Sequence, residues 1–198
     1  MRKVDYSKLM YDELEVIKGS GKRPTLLLHL CCAPCSSYVI ELLNSYFDLS
    51  LYFYDPNIHP QEEYIRRRDE AQSYAEAENI VFYEGPYDVE RWHELTKDNK
   101  ADPEKGGRCS ICYDMRLEAA ARFACSLECE YFTTVLSVSP HKDAGRINET
   151  GLRLSEGLGI RYLPADFKKK EGFKKTVEMG KASGFYRQDY CGCVYSKR

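Results

Sequence analysis

Cysteines grouped in three short motifs are the residues of this sequence best suited to chemistry. A Cys-Cys-Ala-Pro-Cys string, a Cys-Ser-Ile-Cys string and a Cys-Gly-Cys string stand far apart along the 198-residue chain. Thiolates separated by two residues on a turn can reach the same metal ion or cluster, and a glycine between two cysteines lets the backbone turn tightly around one. The predicted metal ligands are therefore Cys31, Cys32, Cys35, Cys109, Cys112, Cys191 and Cys193.

The number of these sulfurs favours a centre larger than one zinc ion. A tetrahedral zinc site takes four ligands, whereas the three motifs supply more than that. Adjacent Cys31 and Cys32 cannot easily chelate one small ion together, which favours two neighbouring metal centres. A structural zinc held by four of the cysteines is one alternative. A thioredoxin-type disulfide exchanger using Cys32 and Cys35 is another, but it leaves the second and third motifs without a role.

The other cysteines and the N-terminus indicate a cytoplasmic protein. Cys125 and Cys129 lie in or beside a predicted helix without flanking turn residues, and we interpret them as buried thiols rather than ligands. The nine cysteines are an odd number, and in a reducing cytosol spaced pairs indicate metal or redox sites rather than a disulfide framework. No apolar stretch follows the basic N-terminal residues, and no apolar run is long enough to span a membrane.

Short apolar runs alternate with helical patterns along the chain. This alternation predicts a single α/β domain with a mainly parallel, Rossmann-like sheet and helices on both faces. The domain spans residues 24–198 and ends in a tail that carries the third cysteine motif, while residues 1–23 form an N-terminal extension with a short helical stretch. The predicted strands are 26–30, 49–54, 80–83, 131–138 and 160–163. The predicted helices are 36–46, 62–78, 112–125, 147–158 and 172–183.

Several reactive side chains follow the predicted strands. Ligands of such folds bind at the carboxyl ends of the strands, and Cys31 ends the first one. The following helix start supplies backbone N–H groups and a dipole that stabilise a thiolate. His59 follows the second strand and His141 follows the fourth, so we expect one shared pocket. A turn or capping role for His59 is an equal alternative.

The basic residues lie in local runs rather than in a global excess, because the net charge is −2. The runs are residues 66–68, 168–170 and 174–175, with Arg187 nearer the tail. Such runs commonly form a solvated face. The run at 168–170 is the better candidate for nucleic-acid phosphates, because it follows the fifth strand and should border the pocket.

Several unusual strings occur in a fixed order along the chain. They are Leu-His-Leu-Cys-Cys-Ala-Pro-Cys-Ser at 28–36, Tyr-Asp-Pro-Asn-Ile-His-Pro at 54–60, Arg-Cys-Ser-Ile-Cys-Tyr at 108–113, Ser-Pro-His-Lys at 139–142, Asp-Phe-Lys-Lys at 166–169, and Tyr-Cys-Gly-Cys at 190–193. These strings resemble the epoxyqueuosine reductase QueH family. The resemblance covers about residues 24 to 196, nearly the whole chain, and Cys125 and Cys129 stand outside its pattern.

The resemblance implies reduction of epoxyqueuosine to queuosine at the wobble position of tRNA, without cobalamin. It also implies a HUP-type, PP-loop-related fold and a 4Fe–4S cluster with a neighbouring iron. As a hypothesis, the cluster is bound by Cys32, Cys109, Cys112 and Cys191, and the second iron is bound by Cys31, Cys35 and Cys193. The two sets could be partly exchanged.

The chemistry requires two electrons and two protons, and the epoxide oxygen leaves as water. An external electron donor must deliver the electrons, and an open iron near Cys31 and Cys35 could take the oxygen. The candidate proton sources are His59, His141 and Asp166. Residues 168–170 and Arg187 would hold anticodon phosphates. The competing function is a zinc-stabilised RNA-binding module without redox activity.

Overall fold

A five-stranded parallel sheet forms the centre of the protein, whose computed structural model describes residues 4–196. The strand order is β3-β2-β1-β4-β5, and every neighbouring pair is parallel. The strands are β1 (Thr25–Leu30), β2 (Asp48–Phe53), β3 (Val81–Glu84), β4 (Tyr131–Thr134) and β5 (Arg161–Tyr162).

Seven α-helices in residues 4–196 cover both faces of the sheet, as predicted. Helix α2 packs on α7, and α5 packs on α6. No helix in this described stretch is long and apolar enough to cross a membrane. The helices are α1 (Tyr6–Ser20), α2 (Ala33–Asn44), α3 (Gln61–Ala77), α4 (Val89–Thr96), α5 (Gly107–Ser126), α6 (Ala144–Leu158) and α7 (Gly172–Ala182), and short 3₁₀ turns occur at Lys97–Asn99, Val135–Val138 and Val194–Ser196.

The central strand β1 is buried on both of its faces. Its residues from Leu26 to Leu30 are all buried, as expected for a parallel strand with helices above and below. β1 pairs with β2 on one side and β4 on the other, with Leu26 opposite Leu49 and Tyr131. The strand order therefore reverses between β1 and β4, and in such sheets the ligand crevice lies at this point, outside the carboxyl ends.

The N-terminal segment contributes to the same core. Helix α1 begins after Asp5, whose carboxylate accepts the Lys8 N–H, and ends at Gly21 in the left-handed conformation. Its Met10, Leu14 and Ile17 are buried in the cluster that includes the sheet. The helical stretch predicted at 6–16 is therefore a helix, four residues longer than expected.

Three local predictions differ from the structure. Helix α4 was missed, because its short sequence has only a few apolar residues among charged ones. The predicted strand 131–138 is wrong in its second half, since the Thr134 hydroxyl accepts the Leu136 N–H and turns the chain into a 3₁₀ segment. Helix α5 begins at Gly107 rather than Cys112, because the Asp102 carboxylate accepts the Arg108 N–H at 2.9 Å and caps the first turn.

Gly172 permits the close approach at the start of α7, and its replacement gives a first prediction. A Cβ there would lie 1.8 Å from the Phe167 carbonyl oxygen, which is backbone and cannot move aside cheaply. Gly172→Ala should destabilise the protein by about 1–3 kcal/mol, measured as a lower urea midpoint of unfolding. Gly157→Ala is the matched control, since nothing lies within 4 Å of that Cβ. Equal midpoints for the two variants would contradict this packing.

Candidate metal centre at the carboxyl edge of the sheet

A cavity of about 460 Å³ lies where β1 and β4 end, and cysteines of all three motifs line it. Residues after β1, after β4, from the start of α5 and from the C-terminal tail form its walls. The cysteines on its wall are Cys31, Cys35, Cys109, Cys112, Cys191 and Cys193.

The first motif converges on one point between β1 and α2. Cys32 is the N-cap of α2, and the ligand atoms of Cys31, Cys32 and Cys35 all lie within 4.8 Å of one another. The Sγ atoms of the two adjacent cysteines are 3.9 Å apart. One centre can therefore draw on both neighbours, so the expectation that adjacent cysteines serve separate centres is not required by the geometry.

The second motif lies on the first turns of α5. Cys109, Cys112 and Arg116 are three and then four residues apart, so they share one face of the helix. The preceding loop is fixed by Arg108, whose guanidinium donates to the backbone carbonyl of Asp102 at 2.6 Å and to two further carbonyls of the loop. The start of α5 is thus held rigidly against the cavity.

The third motif lies on the tail and is anchored by residues distant in sequence. The Arg67 guanidinium donates to the Cys191 carbonyl at 3.2 Å, and the His59 N–H donates to the Gly192 carbonyl at 2.9 Å. Gly192 has a φ of 101°, and a Cβ at this position would lie 2.9 Å from Ile58. Glycine is therefore needed to bring the two flanking cysteines to the cavity.

Cations surround the sulfur of Cys191. The Lys142 ammonium donates to its Sγ at 3.0 Å. Arg116 forms a buried ion pair with Asp55, and Arg67 contributes from α3. Burial opposes ionisation of Cys191, but Lys142 and Arg116 outweigh it and lower the pKa of this thiol. Burial raises the pKa of the Asp55 carboxyl to about 6, and the Arg116 guanidinium opposes the rise.

The thiols of the first motif behave differently. Each thiol has one hydrogen bond within the motif that raises its pKa and one that lowers it; with burial added, the net effect raises the pKa of Cys31, Cys32 and Cys35 well above the usual range. Without a metal these thiols keep their protons at neutral pH. Metal binding must displace the protons, so the affinity of this motif should increase with pH.

Buried donors around the cysteines fit an anionic, sulfur-rich group. The Nε atoms of Arg108 and Arg116 are buried and lack a hydrogen-bond acceptor within residues 4–196. Both arginines line the cavity, and the Trp92 indole faces the Cys112 thiol. An unsatisfied buried donor costs about 1–3 kcal/mol, whereas thiolates and inorganic sulfide would supply acceptors. The residues present therefore fit a metal or iron–sulfur centre.

The comparison with known proteins decides the family. The family model described as Epoxyqueuosine reductase QueH matches residues 26–198. This chain belongs to the QueH family. QueH relatives include that of Acinetobacter baylyi, 44% identical over 175 residues (87% of this chain and 80% of the relative), and that of Haemophilus influenzae, 40% identical over 200 residues (100% and 80%). The chain is accordingly an epoxyqueuosine reductase, an oxidoreductase, and the zinc-stabilised module without redox activity is not favoured.

Solved structures outside the QueH family share its fold. U34-tRNA thiolase NcsA from Methanococcus maripaludis, solved with its 4Fe–4S cluster, is similar with a TM-score of 0.56 and 13% identity, covering 96% of this chain and 69% of that one. A predicted subunit of a tRNA methyltransferase from Methanocaldococcus jannaschii gives a TM-score of 0.54 and 12% identity, covering 78% and 76%. At such identities the likeness shows the fold alone, which is the predicted α/β fold with a parallel sheet flanked by helices.

The structure brings together some of the other predicted site residues of the QueH chain and not others. His141 and Arg187 line the cavity. The ring of His59 instead stacks 4.9 Å from that of His93, outside the described cavity wall. Asp166 pairs with Lys168 at 2.5 Å, and neither residue lines the cavity.

Two further expectations about placement are corrected. The run at 168–170 was expected to border the pocket, but it is absent from the described wall, and Lys170 lies over the ring of Tyr11. Cys125 is exposed rather than buried, and Cys129 is only half-buried. Cys125 lies in the last turn of α5 and Cys129 follows the helix, whereas Cys112 of the cavity is near its start.

Sequence reasoning assigned no role to several charged residues of the site. Arg67 and Lys142 stand within a basic run and a matching string, and Arg116 follows the string at 108–113, yet nothing in the local pattern indicated their contacts. The spacing of Cys109, Cys112 and Arg116 would have placed Arg116 beside the ligands, had the start of α5 been located correctly. The contacts of Arg67 and Lys142 with Cys191 join distant segments and carry no local signal.

Proposed function

We propose that this enzyme reduces epoxyqueuosine to queuosine at the wobble position of tRNA without cobalamin, using a 4Fe–4S cluster and a neighbouring iron. The supporting observation is the convergence of three cysteine motifs on one cavity at the carboxyl edge of the sheet. The reaction breaks two carbon–oxygen bonds and forms a carbon–carbon double bond. It consumes two electrons and two protons and releases water.

The division of cysteines between the two centres is also a proposal. The number of motif sulfurs exceeds what one cluster takes, and the wall of the cavity presents those of every motif. When bound, these centres supply electrons one at a time and an open iron that acts as a Lewis acid. We assign Cys32, Cys109, Cys112 and Cys191 to the cluster, and Cys31, Cys35 and Cys193 to the iron.

His141 is the best placed of the three proposed proton sources. It lines the cavity and is exposed, whereas His59 and Asp166 are directed to other partners. His141→Asn should lower kcat about 100-fold, the lower range for loss of a general acid, while His59→Asn should have the smaller effect. Single-turnover rates on enzymes with equal iron content would compare them. A larger loss of rate in His59→Asn than in His141→Asn would assign the proton donation to His59.

Cationic side chains of the cavity suit the RNA backbone. Arg187 lines the wall and would hold phosphates next to the modified nucleotide, and residues 168–170 would act farther out. Binding should then weaken steeply with salt. We place the reaction in the cytoplasm, with an external electron donor.

The direct test uses enzyme reconstituted anaerobically with iron and sulfide. Purified tRNA carrying epoxyqueuosine is incubated with it and a chemical reductant, and the nucleosides are analysed by mass spectrometry. Loss of one oxygen atom from the modified nucleoside, without added cobalamin, is the expected result. A fully loaded enzyme that binds this tRNA but leaves the epoxide intact would contradict the proposed function.

A further inference from the structure

The contact between Lys142 and Cys191 joins two segments at the centre of the site. Lys142 follows β4, and Cys191 is on the tail, and the ammonium nitrogen lies 3.0 Å from the sulfur. Cys31 is the next sulfur that interacts with this charge. The side chain also lines the cavity. One cation therefore contacts one cysteine motif and lies beside another.

Lys142 differs from the other two cations that act on Cys191. Arg116 is paired with the Asp55 carboxylate, and Arg67 with Glu63 at 2.6 Å. Among residues 4–196, no carboxylate lies within ion-pair distance of Lys142, and its hydrogen bond goes to the sulfur. The positive charge of Lys142 is therefore directed at the sulfur rather than compensated by an acid.

Such a contact has a specific consequence for a metal bound through this sulfur. Hydrogen bonds to cysteinyl sulfur and nearby positive charge stabilise the reduced, more negative form of an iron–sulfur centre. The partly buried setting strengthens both effects, because the local dielectric constant is lower than in water. We propose that Lys142 is a positioning residue that raises the reduction potential of the centre bound by Cys191. A higher potential allows a weaker electron donor to reduce this centre. This inference rests on the proposed function, since it requires an iron–sulfur centre.

A redox titration followed by electron paramagnetic resonance tests the inference. It uses the full-length, anaerobically reconstituted protein without RNA, so that any contact of Lys142 with substrate does not contribute. At the midpoint potential of the wild type, the ratio of oxidised to reduced centre should be about tenfold higher in Lys142→Met than in the wild type. This ratio is equivalent to a midpoint potential lower by about 59 mV for a one-electron reduction. Lys142→Arg, which keeps a charge and a donor, should remain within about twofold of the wild type.

Lys22→Met is the matched control. Lys22 is exposed and precedes β1, at the opposite edge of the sheet from the cysteines. The variant removes the same charge from the protein and should titrate like the wild type. An equal shift in this control would show a general charge effect and would overturn the inference.

The remaining outcomes are also decisive. A Lys142→Met protein with wild-type iron, sulfide and midpoint overturns the role of Lys142. If that variant fails to hold its centre, Lys142→Gln, which keeps a neutral donor, replaces it: an intermediate shift supports the inference and an unchanged midpoint overturns it. Wild-type protein that takes up no iron–sulfur centre would contradict the proposed function itself. This result is recorded before any variant is titrated, so the two failures are distinguishable.

Discussion

Cys31→Ser is expected to abolish turnover while leaving the protein folded. Cys31 directly follows the central strand and lines the cavity, and its sulfur lies with those of Cys32 and Cys35 within 4.8 Å. A serine hydroxyl is a harder and much weaker ligand than a thiolate, so the proposed second iron would lose one of its three protein ligands. Turnover of epoxyqueuosine-containing tRNA should fall to background, and the iron content should fall more than the sulfide content.

Cys125→Ser is the matched control for this substitution. Cys125 is exposed at the far end of α5, so the same change of sulfur to oxygen should leave turnover, iron and sulfide unchanged. Full activity of Cys31→Ser with intact metal content would show that the proposed two-centre arrangement is wrong. Equal losses in both variants would point to a general effect of thiol removal.

Asp55→Ala is expected to cause the largest loss of stability. The side chains of Asp55 and Arg116 are 0% and 1% exposed, and Arg116 lies one turn after Cys112 on α5. Removal of the carboxylate leaves a buried, uncompensated guanidinium, which costs about 3–5 kcal/mol. For a chain of this length we expect Tm of the metal-free protein to fall by roughly 10 °C. Calorimetry on metal-free protein measures this.

A surface pair and a double variant complete that experiment. Asp69→Ala breaks the ion pair with Arg68, in which the Asp69 side chain is 58% exposed, and should change stability by less than about 1 kcal/mol. Replacing both members of the buried pair, as Asp55→Leu with Arg116→Met, should recover most of the stability lost in Asp55→Ala. A Tm of Asp55→Ala close to that of Asp69→Ala would contradict the burial of an ionised pair.

The sheet could be predicted from the sequence because its strands are short apolar runs bounded by polar turns. The run from Leu26 to Leu30 is buried on both faces, and such a continuous apolar run indicates a central strand of a parallel sheet. Helix α6 was located to within three residues, because Gly159 stops it in the left-handed conformation. The start of α5 was missed, since the residues that cap it, Asp102 and Gly106, look like an ordinary polar loop.

The site was predictable in its ligands but not in its supporting contacts. Cysteine spacing identifies the motifs, because chelation requires sulfurs at short intervals. The third motif is held near the first by two contacts with Cys191. Arg67 is separated from Cys191 by 124 positions in the sequence, and Lys142 by 49. Such pairings are formed by tertiary folding and have no periodicity that a single sequence displays.

The most direct test of the iron–sulfur centre is the iron and acid-labile sulfide content of protein purified without oxygen, with its ultraviolet–visible spectrum. We expect about four sulfides and more than four irons per chain, with broad sulfur-to-iron charge-transfer absorption. Zinc would be colourless, because its d shell is full. One zinc and no sulfide per chain, repeated after attempted anaerobic reconstitution, would contradict the iron–sulfur centre and the reductive mechanism built on it.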